Sequence, residues 1–177
     1  GSFSSNNCVL IHERLSIVDV ENGAQPLFDT KTKRVLAVNG EIYNHKIVAE
    51  NLKNDHNWQT NSDCEVLLYL YDEYGVDFLN DLDGIFGFCL YDQKNNEFFV
   101  ARDHIGIIPL YIGWDINGLT YVASEMKAIE EYCENLQEFP PGHYYLSSSK
   151  KFIPWYKPNW EDTVPKKSVS IKQLNKS

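Results

Sequence analysis

The chain has 177 residues, 43% hydrophobic and 14% aromatic, enough to bury the core of one globular domain and too apolar for a disordered segment. With 16 basic against 25 acidic side chains its formal charge is −9, which argues against nucleic acid and anionic membrane surfaces as partners. No apolar run approaches the roughly 20 residues needed to span a bilayer, and the polar, uncharged stretch from Gly1 to Asn7 lacks the pattern of a secretory signal.

Taken in chain order, Cys8-Val9-Leu10-Ile11 is the first strand candidate and Arg34 to Val38 the second. A helix is predicted from about Asn44 to Lys53, where Ile47, Val48 and Leu52 share a face. A second begins at Ser62-Asp63-Cys64-Glu65, which has the spacing of a capping box, and carries Val66, Leu67 and Leu70 inward until Gly75 ends it. Ile85 to Tyr91 and Phe98 to Ala101 then flank turn residues and read as a hairpin. Pro109 to Trp114 and Leu119 to Ala123 flank Asn117-Gly118, the strongest hairpin turn in the chain. A short helix is expected from about Glu125 to Tyr132, and a last hairpin around Ser147 to Ser149. Beyond Asp162 the acidic residues stop and Lys166, Lys167, Lys172 and Lys176 accumulate, which marks a domain edge.

Cys8, Cys64, Cys89 and Cys133 have no Cys-x-x-Cys spacing, so neither a zinc site nor a redox pair is indicated, and reduced thiols in the cytoplasm are expected. Cys64 stands at a predicted helix start, which would lower a thiol pKa; an inert, buried cysteine is the commoner outcome.

A few short stretches carry the candidate chemistry. The strand Val35 to Val38 stops at Asn39-Gly40-Glu41, which sets a side-chain amide, a backbone N–H free of any Cβ and a carboxylate side by side. Taken alone, Asn-Gly is an ordinary turn dipeptide. Asp63, taken as a bare helix-start aspartate, is assigned to capping, where the helix N-terminus favours its ionised form. Arg14, among apolar neighbours, can grip a carboxylate with two parallel N–H donors or form an ion pair with Glu13 or Asp19. Arg102-Asp103 reads as an ion pair near a sheet edge, and His12 and His104 as structural.

Three blocks decide among these readings: His12-Glu13-Arg14-Leu15-Ser16-Ile17-Val18-Asp19, Asn39-Gly40-Glu41-Ile42-Tyr43-Asn44-His45, and Arg102 through Tyr111. Together they make the chain resemble, from about Cys8 to Trp160, the glutaminase domain of glutamine-hydrolysing asparagine synthetases, which are class II glutamine amidotransferases and N-terminal nucleophile hydrolases. The resemblance implies an α+β fold, a four-layer αββα sandwich of two antiparallel sheets. It implies that Asn39 and Gly40 form an oxyanion hole and that Arg14 holds the α-carboxylate of L-glutamine. The segment Leu15, Ser16, Ile17 and Val18 would line the pocket, and Glu41 and Asp63 would receive the α-ammonium.

Residues 1–160 are then an amidotransferase domain incomplete at its N-terminus, and 161–177 a linker or tail toward an absent ATP-dependent synthetase domain. That domain would use ATP, magnesium and aspartate, while this one needs no metal or cofactor. A homodimer is compatible with the reading. In the family the nucleophile is a cysteine at the chain's first position whose α-amine acts as base; Gly1-Ser2 has none, so the chain as given is expected not to hydrolyse glutamine. The alternatives are another class II amidotransferase, β-lactam-synthetase-like or glucosamine-phosphate-forming, or a non-catalytic glutamine-binding module.

Overall fold

The computed structural model describes residues 1–13 and 23–158. The elements are β1 (Ser2–Ser4), β2 (Val9–Ile11), β3 (Leu27–Asp29), β4 (Arg34–Ile42), α1 (His45–Glu50), α2 (Val66–Tyr74), β5 (Gly84–Asp92), β6 (Glu97–Arg102), β7 (Tyr111–Trp114), β8 (Thr120–Ala123), β9 (Asn135–Glu138), β10 (His143–Leu146) and β11 (Lys151–Pro154). All strand pairs are antiparallel. They form a six-stranded sheet in the order β11-β10-β6-β5-β4-β3, a three-stranded sheet β8-β7-β9, and the ribbon β1-β2.

Period-two alternation sorts the central strands between two cores. Leu36, Val38 and Ile42 of β4, Phe86, Phe88 and Leu90 of β5, and Phe99 of β6 face the helices and pack on Val66, Leu67 and Leu70 of α2. The opposite face, with Val100, Tyr145 and half-buried Cys89, Phe98 and Phe152, meets Leu110, Ile112 and Trp114 from β7 and its approach. Two antiparallel sheets thus lie face to face with helices outside the larger one, an α+β sandwich of the expected kind. The β1-β2 ribbon covers a third cluster of Leu10, Val35 and Tyr91.

The second helix is the most fully buried. Gly75, with φ +59°, ends it as expected, because only glycine turns left-handed there without strain. Burial extends beyond the predicted face to Leu68 and Tyr69. Tyr69 is covered by the 51–62 segment, from which His56 stacks on its ring at 4.4 Å and Trp58 meets it edge-on at 4.7 Å.

The first helix is shorter than expected, His45–Glu50. Over 125–132 the structure has a single 3-10 turn, Met126–Ala128, and further turns rather than a helix. Among residues 125–132 only Ile129 is buried, and so short a segment gains too little from packing to hold helical geometry. The lysine-rich stretch 161–177 lies outside the described residues.

Candidate functional site

The site is built on the far end of β4. Strand β4 pairs with β5 along all nine of its residues, whereas β3 covers only Arg34 to Leu36 on the other side. At Val38 a side chain stands in for the missing strand: Gln25 Nε2 donates to the Val38 carbonyl and the Val38 N–H donates to Gln25 Oε1, both at 2.8 Å. Two residues on, Gly40 lies opposite Phe86. Phe86 directs its N–H to Asp103 Oδ2 (3.3 Å) and accepts the Asp103 N–H at its carbonyl (2.8 Å), both on the side away from β4. The Gly40 N–H and carbonyl are therefore not consumed by the ladder, and the carbonyl accepts from Cys64 Sγ at 3.6 Å.

Only glycine fits here. Gly40 has φ +144°, and a Cβ would run into the Ile85 carbonyl and stand 2.7 Å from Phe86 Cα. Asn39 and Glu41 flank it on the opposite face of the strand. Asn39 is exposed and Glu41 half-buried, and neither side chain has a hydrogen-bond partner among the described residues. Across the ladder from Asn39 is Gly87, where a Cβ would press on Ile108 at 3.3 Å, so no side chain on β5 crowds the Asn39 amide.

Asp63 arrives from the 3-10 turn Asp63–Glu65 that leads into α2. It is buried, and its Oδ2 accepts the Ile42 N–H at 2.7 Å, tying the helix start to the end of β4. Its Oδ1 has no partner among the described residues. Cys64 Sγ is 3.6 Å from both Asp63 Oδ2 and the Gly40 carbonyl. Burial, then the neighbouring charges of Asp63 and Glu41, push the Cys64 thiol well above its ordinary range. Burial first, and then the two carboxylates, oppose a thiolate at Cys64, in keeping with a buried, inert cysteine. Cys8, raised to about 11 by burial, and Cys89, raised further still, are core thiols.

The structure thus brings Asn39, Gly40, Glu41 and Asp63 to one corner, where two donors and two carboxylates meet. Arg14, Leu15, Ser16, Ile17 and Val18 lie outside the described residues. The expected Arg102–Asp103 ion pair is replaced by two separate networks. Arg102 donates to Glu138 Oε1 (2.7 Å) and to the carbonyls of Gly106, Ile108 and Phe139, while Asp103 collects backbone N–H groups. His104 packs edge-on against Trp155 and Tyr156 and belongs to the scaffold. Two clefts among the described residues lie elsewhere: about 640 Å3 between His104, Pro141, His143 and Trp155, and about 270 Å3 between Pro26, Phe28, Gln59 and Glu65.

Two residues here escape sequence reasoning. Gln25 has no local signal, since its amide pairs with a strand thirteen positions away. Glu65 is visible only as half of a capping box, and that half is not made: Ser62 Oγ accepts the Cys64 N–H at 3.3 Å, but Glu65 turns instead to Gln59, Thr60 and Tyr69. Among the described residues no helix is long and apolar enough to cross a membrane, and no group of three His, Cys, Asp or Glu could hold a metal ion.

Comparison with known proteins gives the family. Residues 1–140 match the model of the glutamine amidotransferase domain. The chain is 51% identical over 162 residues to a probable glutamine-hydrolysing asparagine synthetase of Dictyostelium discoideum, covering 90% of this chain and 29% of that protein. It is 50% identical over 162 residues to asparagine synthetase B of Escherichia coli, covering 92% of this chain and again 29% of the relative. The chain therefore spans less than a third of the length of these relatives. Among solved structures, the glutamine phosphoribosylpyrophosphate amidotransferase from B. subtilis superposes with a TM-score of 0.64 at 29% identity, over 78% of this chain and 33% of that one.

Proposed function

This chain belongs to the glutamine amidotransferase domain family, and from that premise we propose that it is the glutamine-binding and glutamine-hydrolysing part of an asparagine synthetase. The carrying observation is the corner at the end of β4, where the Asn39 amide, the Gly40 N–H outside the ladder, and the Glu41 and Asp63 carboxylates meet. Their chemistry matches the two ends of L-glutamine. Asp63 Oδ1 and Glu41 receive the α-ammonium, and Arg14, with the Leu15 to Val18 backbone as wall, takes the α-carboxylate. The Asn39 amide and Gly40 N–H then face the side-chain carboxamide, where negative charge develops on oxygen as a thiolate attacks its carbon. Two donors fixed before the reaction stabilise that oxyanion without reorganisation.

The thiolate would belong to a cysteine whose own α-amine accepts the thiol proton. Attack expels ammonia and leaves a thioester, which water then hydrolyses to glutamate. Ammonia would pass to aspartate activated by ATP and magnesium in a further domain, reached through 161–177, and the whole enzyme would work in the cytoplasm. The identity with asparagine synthetases over nearly the entire chain favours this acceptor over those of other amidotransferases.

Titration with L-glutamine tests the reading. Wild-type chain should bind it, and Asp63→Asn should weaken binding by at least about tenfold. That variant keeps an oxygen for the Ile42 N–H but loses the charge that meets the ammonium. Affinity unchanged by Asp63→Asn leaves Asp63 only as the structural tie between the start of α2 and the end of β4.

A further inference from the structure

We infer that Glu65 is the positioning residue for Asp63, setting the carboxylate that recognises the substrate's α-ammonium; this rests on the role given to Asp63 above. Glu65 is only 1% exposed. Its Oε1 accepts the Gln59 N–H and the Tyr69 hydroxyl, and its Oε2 accepts the Thr60 N–H and the Thr60 hydroxyl, all at 2.6–2.7 Å. No cationic side chain pairs with it among the described residues. A helix start needs nothing so elaborate, since one hydroxyl from Ser62 already caps it.

The four donors lead to Asp63. Thr60 Oγ1, held by Glu65, accepts the Ser62 N–H at 3.1 Å, and Ser62 Oγ accepts the Cys64 N–H at 3.3 Å. Asp63 sits between these two anchored residues. Tyr69, one turn along α2, ties the same carboxylate to the rigid helix, so the 59–64 turn is registered to α2 rather than floating on a loop. Asp63 Oδ2 then meets the Ile42 N–H at 2.7 Å, and Oδ1 has no partner among the described residues. A buried carboxylate without a counter-ion is seldom the most stabilising choice, because apolar side chains of similar volume pack as well or better; what it adds is a unique geometry. Four short acceptor bonds on one side chain supply it.

The test compares two ligands that differ only in the group Asp63 would meet: L-glutamine and 4-carbamoylbutanoate, which is glutamine without its amino group. Both are titrated by ligand-observed NMR into wild-type chain and into Glu65→Gln, whose NH2 must face a donor whichever way it turns. Glu65→Gln should weaken L-glutamine at least about tenfold and leave 4-carbamoylbutanoate within about twofold. Equal weakening of both, or no weakening of either, overturns the inference and makes Glu65 a stability residue. If Glu65→Gln does not fold, Thr60→Val removes only the relay hydroxyl and should weaken L-glutamine by about threefold with the same selectivity; no selectivity there also overturns it. Wild-type chain that binds the deaminated ligand as tightly as L-glutamine overturns the role of Asp63 itself, a result distinct from any effect of Glu65.

Discussion

Two buried aspartates flank the Gly40–Phe86 pair and are spent in opposite ways. Asp103 lies on the β6 side and accepts four backbone N–H groups: Ile105 and Ile107 on Oδ1, Ile108 and Phe86 on Oδ2. Asp63 lies on the open side of β4, accepts the Ile42 N–H on Oδ2, and keeps Oδ1 without a partner among the described residues. Both are acidic residues at element ends, and without the family resemblance their sequence context does not separate their roles. The accounting of acceptors does. A carboxylate whose lone pairs are all taken by its own backbone is scaffold, and one with an acceptor to spare, beside Asn39 and Glu41 side chains that have no partner among the described residues, is open to a ligand.

The contrast breaks most visibly at Asp103. Asp103→Ala strands four N–H groups at once and should cost roughly 3–5 kcal/mol of unfolding free energy, measured by urea denaturation. A loss under about 1 kcal/mol would show the 105–108 loop to be held by something else. Asn39→Ala should do the reverse, leaving stability nearly untouched. In the enzyme with its nucleophile present it should lower kcat roughly a hundredfold with a smaller change in KM; normal kcat removes Asn39 from the oxyanion hole.

The smallest effect sharpens the comparison with a third carboxylate. Glu73, on α2, accepts the Lys53 and Asn54 N–H groups, the Asn54 amide and His56 Nε2 at 2.8–3.0 Å. Burial works to raise its pKa, but these hydrogen bonds outweigh it and hold Glu73 down from 4.5 to about 2. Because the folded value is depressed, the stabilisation is present above about pH 4.5 and is lost as pH falls toward 2. Thermal midpoints followed over that window should fall less steeply in Glu73→Gln than in wild type. Parallel curves would mean that Glu73 does not couple the 53–56 segment to α2.

Much of this arrangement is legible locally. Ser62 and Gly75 bracket α2, Asn117-Gly118 joins β7 to β8, and the apolar run ending at Asn39-Gly40-Glu41 announces the strand that carries the site, because caps, turns and alternation are written within a few residues of where they act. Strand β9, Asn135-Leu136-Gln137-Glu138, has almost no apolar pattern; it exists because the backbone of β7 offers it a ladder. The Glu125 to Tyr132 segment reads as a helix and stays a turn, since only Ile129 finds a core to enter. The same limit applies to the acids. Sequence by itself determines that Asp63, Glu65 and Asp103 are carboxylates at element ends, but which N–H groups reach them depends on how the 53–62 and 104–108 segments close in space. Only the tertiary structure could decide that Asp103 is filled, that Glu65 grips the turn before it, and that Asp63 Oδ2 ties the start of α2 to the end of β4.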